Sequence, residues 1–135
     1  MKKENSKVQN ELVFDFRSIK SFEDACAHLG ITPELPQLVN GCQELLKPII
    51  AAYKLMVIFK AINNGWVPDW GNTNQAKWFP WFWVLPSGTG FSLSDTNYLC
   101  EGTDLGSRLC CDSSAKCRYI TDNFEGLYKD FLLLS

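Results

Sequence analysis

The sequence predicts a single α+β domain with two N-terminal helices, a three- or four-stranded antiparallel meander, and a C-terminal helix packed on the sheet. Three observations carry this expectation. Apolar residues recur at helical spacing in two segments before residue 65 and in one after residue 113. Between them lie the short runs KWFPWFWV, GFSLS and LGSRLCC, separated by turn-forming stretches such as SGTG. Finally, 135 residues with 46% hydrophobic and 21% charged composition suit one buried core and leave no room for a second full domain.

The elements follow in order. Residues 1–18 read as a flexible tail or lead-in and residues 19–135 as the domain. Met1 to about Asn10 are polar with no apolar period. Leu12, Val13, Phe14, Phe16 and Ile19 have β character, which fits an edge strand or an extended lead-in that drops its side chains onto the body. A helix is predicted over Ser21–Leu29. Ser21 can cap the free amides, Glu23 and Asp24 suit the positive end of the dipole, and Gly30 supplies the stop. Pro33 and Pro36 break regular structure in the connector that follows. The second helix, from about Gln43 or Pro48 to Asn64, is apolar almost all round and is expected to be central. The C-terminal helix places Ile120, Phe124, Leu127, Tyr128 and Phe131 on one face behind a capping Ser113 or Ser114. Pro80 lacks a ladder donor, so its strand should be an edge or carry a bulge.

Charge and cysteine usage narrow the function classes. Thirteen Lys and Arg against fifteen Asp and Glu give a net charge of −2, so no overall basic field attracts phosphate polymers. MKKENSKVQNE has a basic start but polar residues where a leader needs about 7–15 apolar ones. PIIAAYKLMVIFKAI is interrupted by Lys54 and Lys60 and is shorter than the roughly 20 residues that span a bilayer. These features suggest a cytoplasmic location without membrane contact. The six cysteines are then expected to be reduced and packed. They form no C-x-x-C pair, and the only histidine, His28, has just Cys26 nearby in sequence, so neither a metal nor another cofactor is expected. No spacing brings Cys110 or Cys117 to His28 as a nucleophile and base, and the aspartates assemble no catalytic pair. No catalytic residue is assigned.

The strongest local signal is aromatic. Trp66, Trp70, Trp78, Trp81 and Trp83 are all five tryptophans of the chain. Strand alternation sends Trp78, Pro80, Phe82 and Val84 to one face and Phe79, Trp81 and Trp83 to the other. If helices cover only one face, the other is a hydrophobic patch of the kind that marks a partner. The competing reading is that the rings serve the core. Arg108, expected on a strand with its guanidinium outward, could stack on an indole or pair with an anion, or make a surface ion pair. The sequence thus favours a non-enzymatic interaction module that binds a protein partner or a second copy through Trp66, Trp70, Trp78, Trp81, Trp83 and Arg108. The alternative is a small single-stranded nucleic-acid-binding accessory protein that stacks bases on Trp66, Trp70, Trp81 or Trp83 beside Arg108.

At KSFEDACAHLGI, YKLMVIFKAINNGWVPDW, GSRLCC and NFEGLYKDFLLL the chain resembles an uncharacterised family of small proteins associated with gut bacteria and their bacteriophages. The resemblance spans about Ile19 to Leu133. It implies an accessory protein of a mobile element or its host, and it carries no established activity, cofactor or catalytic residue. The doubled Cys110 and Cys111 depart from the family pattern.

Overall fold

The computed structural model describes residues 13–84, 91–103 and 105–134. Leu12 and the expected SGTG turn at Ser87–Gly90 lie outside them, as does the side chain of Trp83. The described residues form an α+β arrangement of three helices and one two-stranded antiparallel sheet.

Residues 13–20 are a lead-in with one 3₁₀ turn, Phe16–Ser18. Phe14 and Phe16 pack on the core and Ile19 is buried within it. The Tyr119 hydroxyl pins this segment by reaching the carbonyls of Ile19 at 2.7 Å and Arg17 at 3.0 Å. Helix α1 is Phe22–Leu29. The Ser21 side chain accepts from the Asp24 amide, and Gly30 closes the helix at φ 70°, where a Cβ would be strained.

Helix α2, Leu46–Asn63, follows a 3₁₀ turn over Gln43–Leu45. Pro48 sits in its first turn, where a missing N–H costs no helical bond. Asn64 ends the helix in the left-handed region at φ 46°, its amide donating to the Lys60 and Ala61 carbonyls. Leu55, Ile58, Phe59, Ala61 and Ile62 are sealed from solvent, with α1 on one side and the C-terminal helix on another. Burial is not complete all round, because Ile49 and Met56 remain exposed.

The sheet departs from the expected three or four strands. Strand β1, Lys77–Val84, pairs antiparallel with β2, Phe91–Leu99. Ser94 has no partner: Trp81 faces Asp95 while Phe82 faces Leu93, a one-residue bulge. LGSRLCC, expected as a third strand, is a 3₁₀ turn over Ser107–Leu109 followed by a single bridge between Cys111 and Trp78. Trp78 and Cys111 exchange both backbone bonds at 2.8 Å, so Trp78 turns its N–H and C=O to the outer edge of β1. Pro80 is the next residue with that orientation, and it has no N–H to continue the ladder. Gly106, at φ 81°, turns the incoming chain at the other end. The third strand therefore stops at one bridge, and Arg108 lies exposed on the 3₁₀ turn instead of on a strand.

Helix α3, Ser114–Leu132, is capped by the Ser113 side chain at the Lys116 amide and packs on α2 and the sheet. Its path breaks at Phe124, whose backbone (φ −131°, ψ 26°) is not helical. Within the turn before it, the Thr121 hydroxyl and the Asn123 side-chain amide each donate to the carbonyl four residues back, a competition that bends helices. Ile120, Phe124 and Tyr128 enter the core.

The Phe59 ring is the largest apolar side chain sealed among these helices. Phe59→Ala should cost about 3–5 kcal/mol. Urea unfolding should show this as a lower midpoint at unchanged slope; a loss under about 1 kcal/mol would contradict the packing described.

Candidate functional site

A lysine starts β1 on the same strand parity as Phe79 and Trp81, and the fold buries it. Lys77 is 1% exposed. Its ammonium donates to the carbonyls of Asn72 and Cys100, both at 3.0 Å, and lies 5.0 Å from the centre of the Trp70 ring. The two carbonyls and the ring face give the three N–H bonds of the ammonium somewhere to point. Trp70 is held in turn by its indole N–H, which donates to the Ser107 hydroxyl at 2.7 Å. The loop over residues 66–76 is braced internally: Asp69 accepts from the Gly71 amide and Asn72 from the Asn74 amide, as such side chains do in turns. One ammonium thus ties this loop and residue 100 to the start of the hairpin.

Among the described residues the indoles do not gather into one platform. Trp66 is half-buried near the end of α2. Trp70 covers Lys77. Trp78 packs against the core, with its ring 4.8 Å from that of Tyr98. Trp81 is the open one, 47% exposed, while the Trp83 side chain lies outside the described residues. Arg108 is exposed next to Ser107, the residue that receives the Trp70 bond.

Around Trp81 the fold opens a groove of about 230 Å³ lined by Phe79, Pro80, Trp81, Phe82, Val84, Leu105 and Leu132. Every lining side chain is apolar. Val84 at 54% and Leu132 at 40% are exposed with Trp81, whereas Phe79 is buried at 9%. The groove lies along β1 beyond the point where Pro80 stops the ladder. Leu105 and Leu132 come from the loop and from the end of α3, and their separation from β1 in sequence hid them from motif reading. Lys77 and Phe79 could have been found from strand parity, since a lysine on an aromatic face needs a buried partner or an exit to water.

A second hollow, about 360 Å³, lies between α2 and the end of α3, with Leu46, Ile50, Ala51 and Leu127 as floor and Lys47, Lys54, Gln43 and Asp130 at the rim. Lys47 and Asp130 pair across it at 3.4 Å.

The thiols are placed for packing. Cys26, Cys110, Cys111 and Cys117 are buried, Cys100 is half-buried and Cys42 is exposed. Burial pushes the Cys110 thiol up to about 11, helped by Cys117 and opposed by Lys77. Burial also raises Cys111, with a hydrogen bond to Cys117 adding to it, and raises Cys26. Burial, then the neighbouring Cys111 and Cys117, raises the Tyr128 hydroxyl. Such thiols stay protonated and make poor nucleophiles. His28 meets none of them; its ring contacts Phe14 at 4.5 Å and shares a 2.9 Å hydrogen bond with the Asn64 side chain. Among the described residues no group of three or more His, Cys, Asp or Glu converges as a metal cage.

Compared with protein-family models, curated proteins and solved structures, the chain matches none of them.

Two outcomes follow from this geometry. Lys77→Met should destabilise the fold by about 1–3 kcal/mol for each carbonyl left unpaired, and change Trp70 emission; an unaltered urea midpoint would remove the bracing role. The raised thiols favour the neutral form in the folded chain. For Cys110 that stabilisation is complete below the ordinary thiol value of 9.0 and is lost as pH rises through about 11. Thermal unfolding from pH 8 to 11 should show this decline, and alkylation of the native protein at pH 8 should label Cys42 first. Rapid labelling of Cys110 or Cys117 would contradict their burial.

Proposed function

We propose that the chain is a non-enzymatic interaction module that contacts a protein partner through the groove along β1. The single observation that carries this reading is the lining. Seven apolar side chains from β1, the loop at Leu105 and the end of α3 converge there, and Trp81, Val84 and Leu132 remain open to water. Contiguous apolar surface of this kind is covered at a cost in water that a partner removes, and a half-exposed tryptophan is the residue type that most often dominates such contacts. A polyanion would find no cation in the lining, and the ring of Trp70 already carries Lys77. A second copy of the chain is the simplest protein partner, because it needs nothing else to be present. An accessory role in a mobile element or its host is part of the proposal and rests on the sequence resemblance alone.

The test places a photo-crosslinking side chain at position 81 in the producing cell, with position 23 on α1 as control. A discrete protein adduct, or a crosslinked dimer, is expected at 81 and not at 23. With the crosslinker kept at 81, Leu132→Ser should weaken that adduct by about 1–2 kcal/mol of binding, with little change in unfolding. Quenching of tryptophan emission by single-stranded oligonucleotides at low salt, lost in Trp81→Ala, would replace the protein reading with base stacking.

A further inference from the structure

Two Asn-Gly pairs occur in the chain, Asn40–Gly41 and Asn64–Gly65, and the fold treats them in opposite ways. An asparagine followed by glycine is the pair most open to self-modification, because no side chain on the second residue shields its amide nitrogen. That nitrogen attacks the asparagine Cγ. A C–N bond forms, the Cγ–Nδ2 bond breaks, and ammonia leaves with the amide proton. Water then opens the five-membered imide at either carbonyl, giving aspartate or its β-linked isomer. The net change is one water consumed and one ammonia released, without an oxidant or an enzyme.

Ring closure requires the glycine nitrogen to swing to the same side of the Cα–C bond as the asparagine Cβ. At Asn64 the fold prevents this. Its backbone is held at φ 46° and ψ 52°, which places the Gly65 nitrogen on the side of that bond away from Cβ. Three hydrogen bonds maintain the conformation: the Asn64 amide donates to the Lys60 and Ala61 carbonyls, and its side-chain oxygen meets His28 Nε2 at 2.9 Å. Gly65 adopts φ 94° and is followed by a bond from the Trp66 amide to the Asn63 carbonyl, so the turn is fixed on both sides.

Asn40 has none of these restraints. It lies in the irregular connector between α1 and α2, and both Asn40 and Gly41 are exposed. Among the described residues neither of them makes a backbone or side-chain hydrogen bond, and neither has a positive φ. The nearest anchors are the Gln43 side chain, which donates to the Leu38 carbonyl, and the Leu45 amide, which donates to the Cys42 carbonyl; among the described residues, 39–41 between them make no hydrogen bond. We propose that Asn40 is a site of spontaneous conversion to aspartate and isoaspartate, and that the helix cap at Asn64 protects the second Asn-Gly pair. The conversion puts a carboxylate beside Val39, which is 85% exposed, and in the isomer adds one main-chain carbon to the connector.

The experiment ages the full-length protein at mildly alkaline pH and follows both sites by peptide mapping with isoaspartate-specific methylation. In the folded protein the peptide holding residue 40 should convert roughly tenfold or more faster than the one holding residue 64, since a misaligned nucleophile loses that much or more in rate. In denaturant the two rates should become alike. Gly41→Ala should slow the reaction at 40 without unfolding the chain, because the added Cβ meets only the flexible Leu38 side chain, at 3.3 Å. Equal native rates, faster conversion at 64, or no conversion at 40 would each overturn the proposal.

Discussion

The arrangement of this protein depends on a charge taken out of water. Lys77 begins the only hairpin described, and its ammonium is enclosed by two carbonyls and an indole face, with no carboxylate among these partners. A buried cation is tolerated only when each of its donors is met, so the loop carrying Asn72 and Trp70 and the chain at Cys100 are obliged to close over it. Two strands alone make a marginal sheet. Helix α3 covers one side of this one, and the loops gathered by Lys77 cover the start of the other.

Beyond that closure the sheet is left incomplete. The outer edge of β1 accepts a single bridge from Cys111 and then meets Pro80, where no donor is present. A proline at that position protects the edge from indiscriminate pairing, while the apolar side chains around it remain. Recognition at such a surface would rely on shape and apolar contact more than on main-chain hydrogen bonds. The Trp81 groove and the blunted edge are therefore two consequences of one residue.

The interior is polar in a restrained way. Cys110, Cys111, Cys117, the Tyr128 hydroxyl and Asn63 meet where α2, α3 and the bridge at Cys111 converge. The Asn63 side chain donates to the Cys110 carbonyl at 2.8 Å and so ties the end of the central helix to that bridge. Burial raises the Cys110 and Cys111 thiols and the Tyr128 phenol and keeps these three neutral, which makes this region a packing device whose strength depends on pH.

Much of this was legible in the amino-acid order. Ser21, Gly30, Pro48, Asn64 and Ser113 mark helix ends through local chemistry, and local chemistry does not need the rest of the fold. Strand pairing, the burial of Lys77 and the convergence of Leu105 and Leu132 on Trp81 join residues far apart in the chain, and no periodicity reports them. LGSRLCC has the composition of a strand, but its fate was decided by the missing donor of Pro80 across the gap. The sequence by itself determined the α+β class, the capping residues at several helix ends and the place of the aromatic residues. Only the tertiary structure decided which rings are spent on the core and which stay open, because exposure depends on what long-range contacts bring to each face.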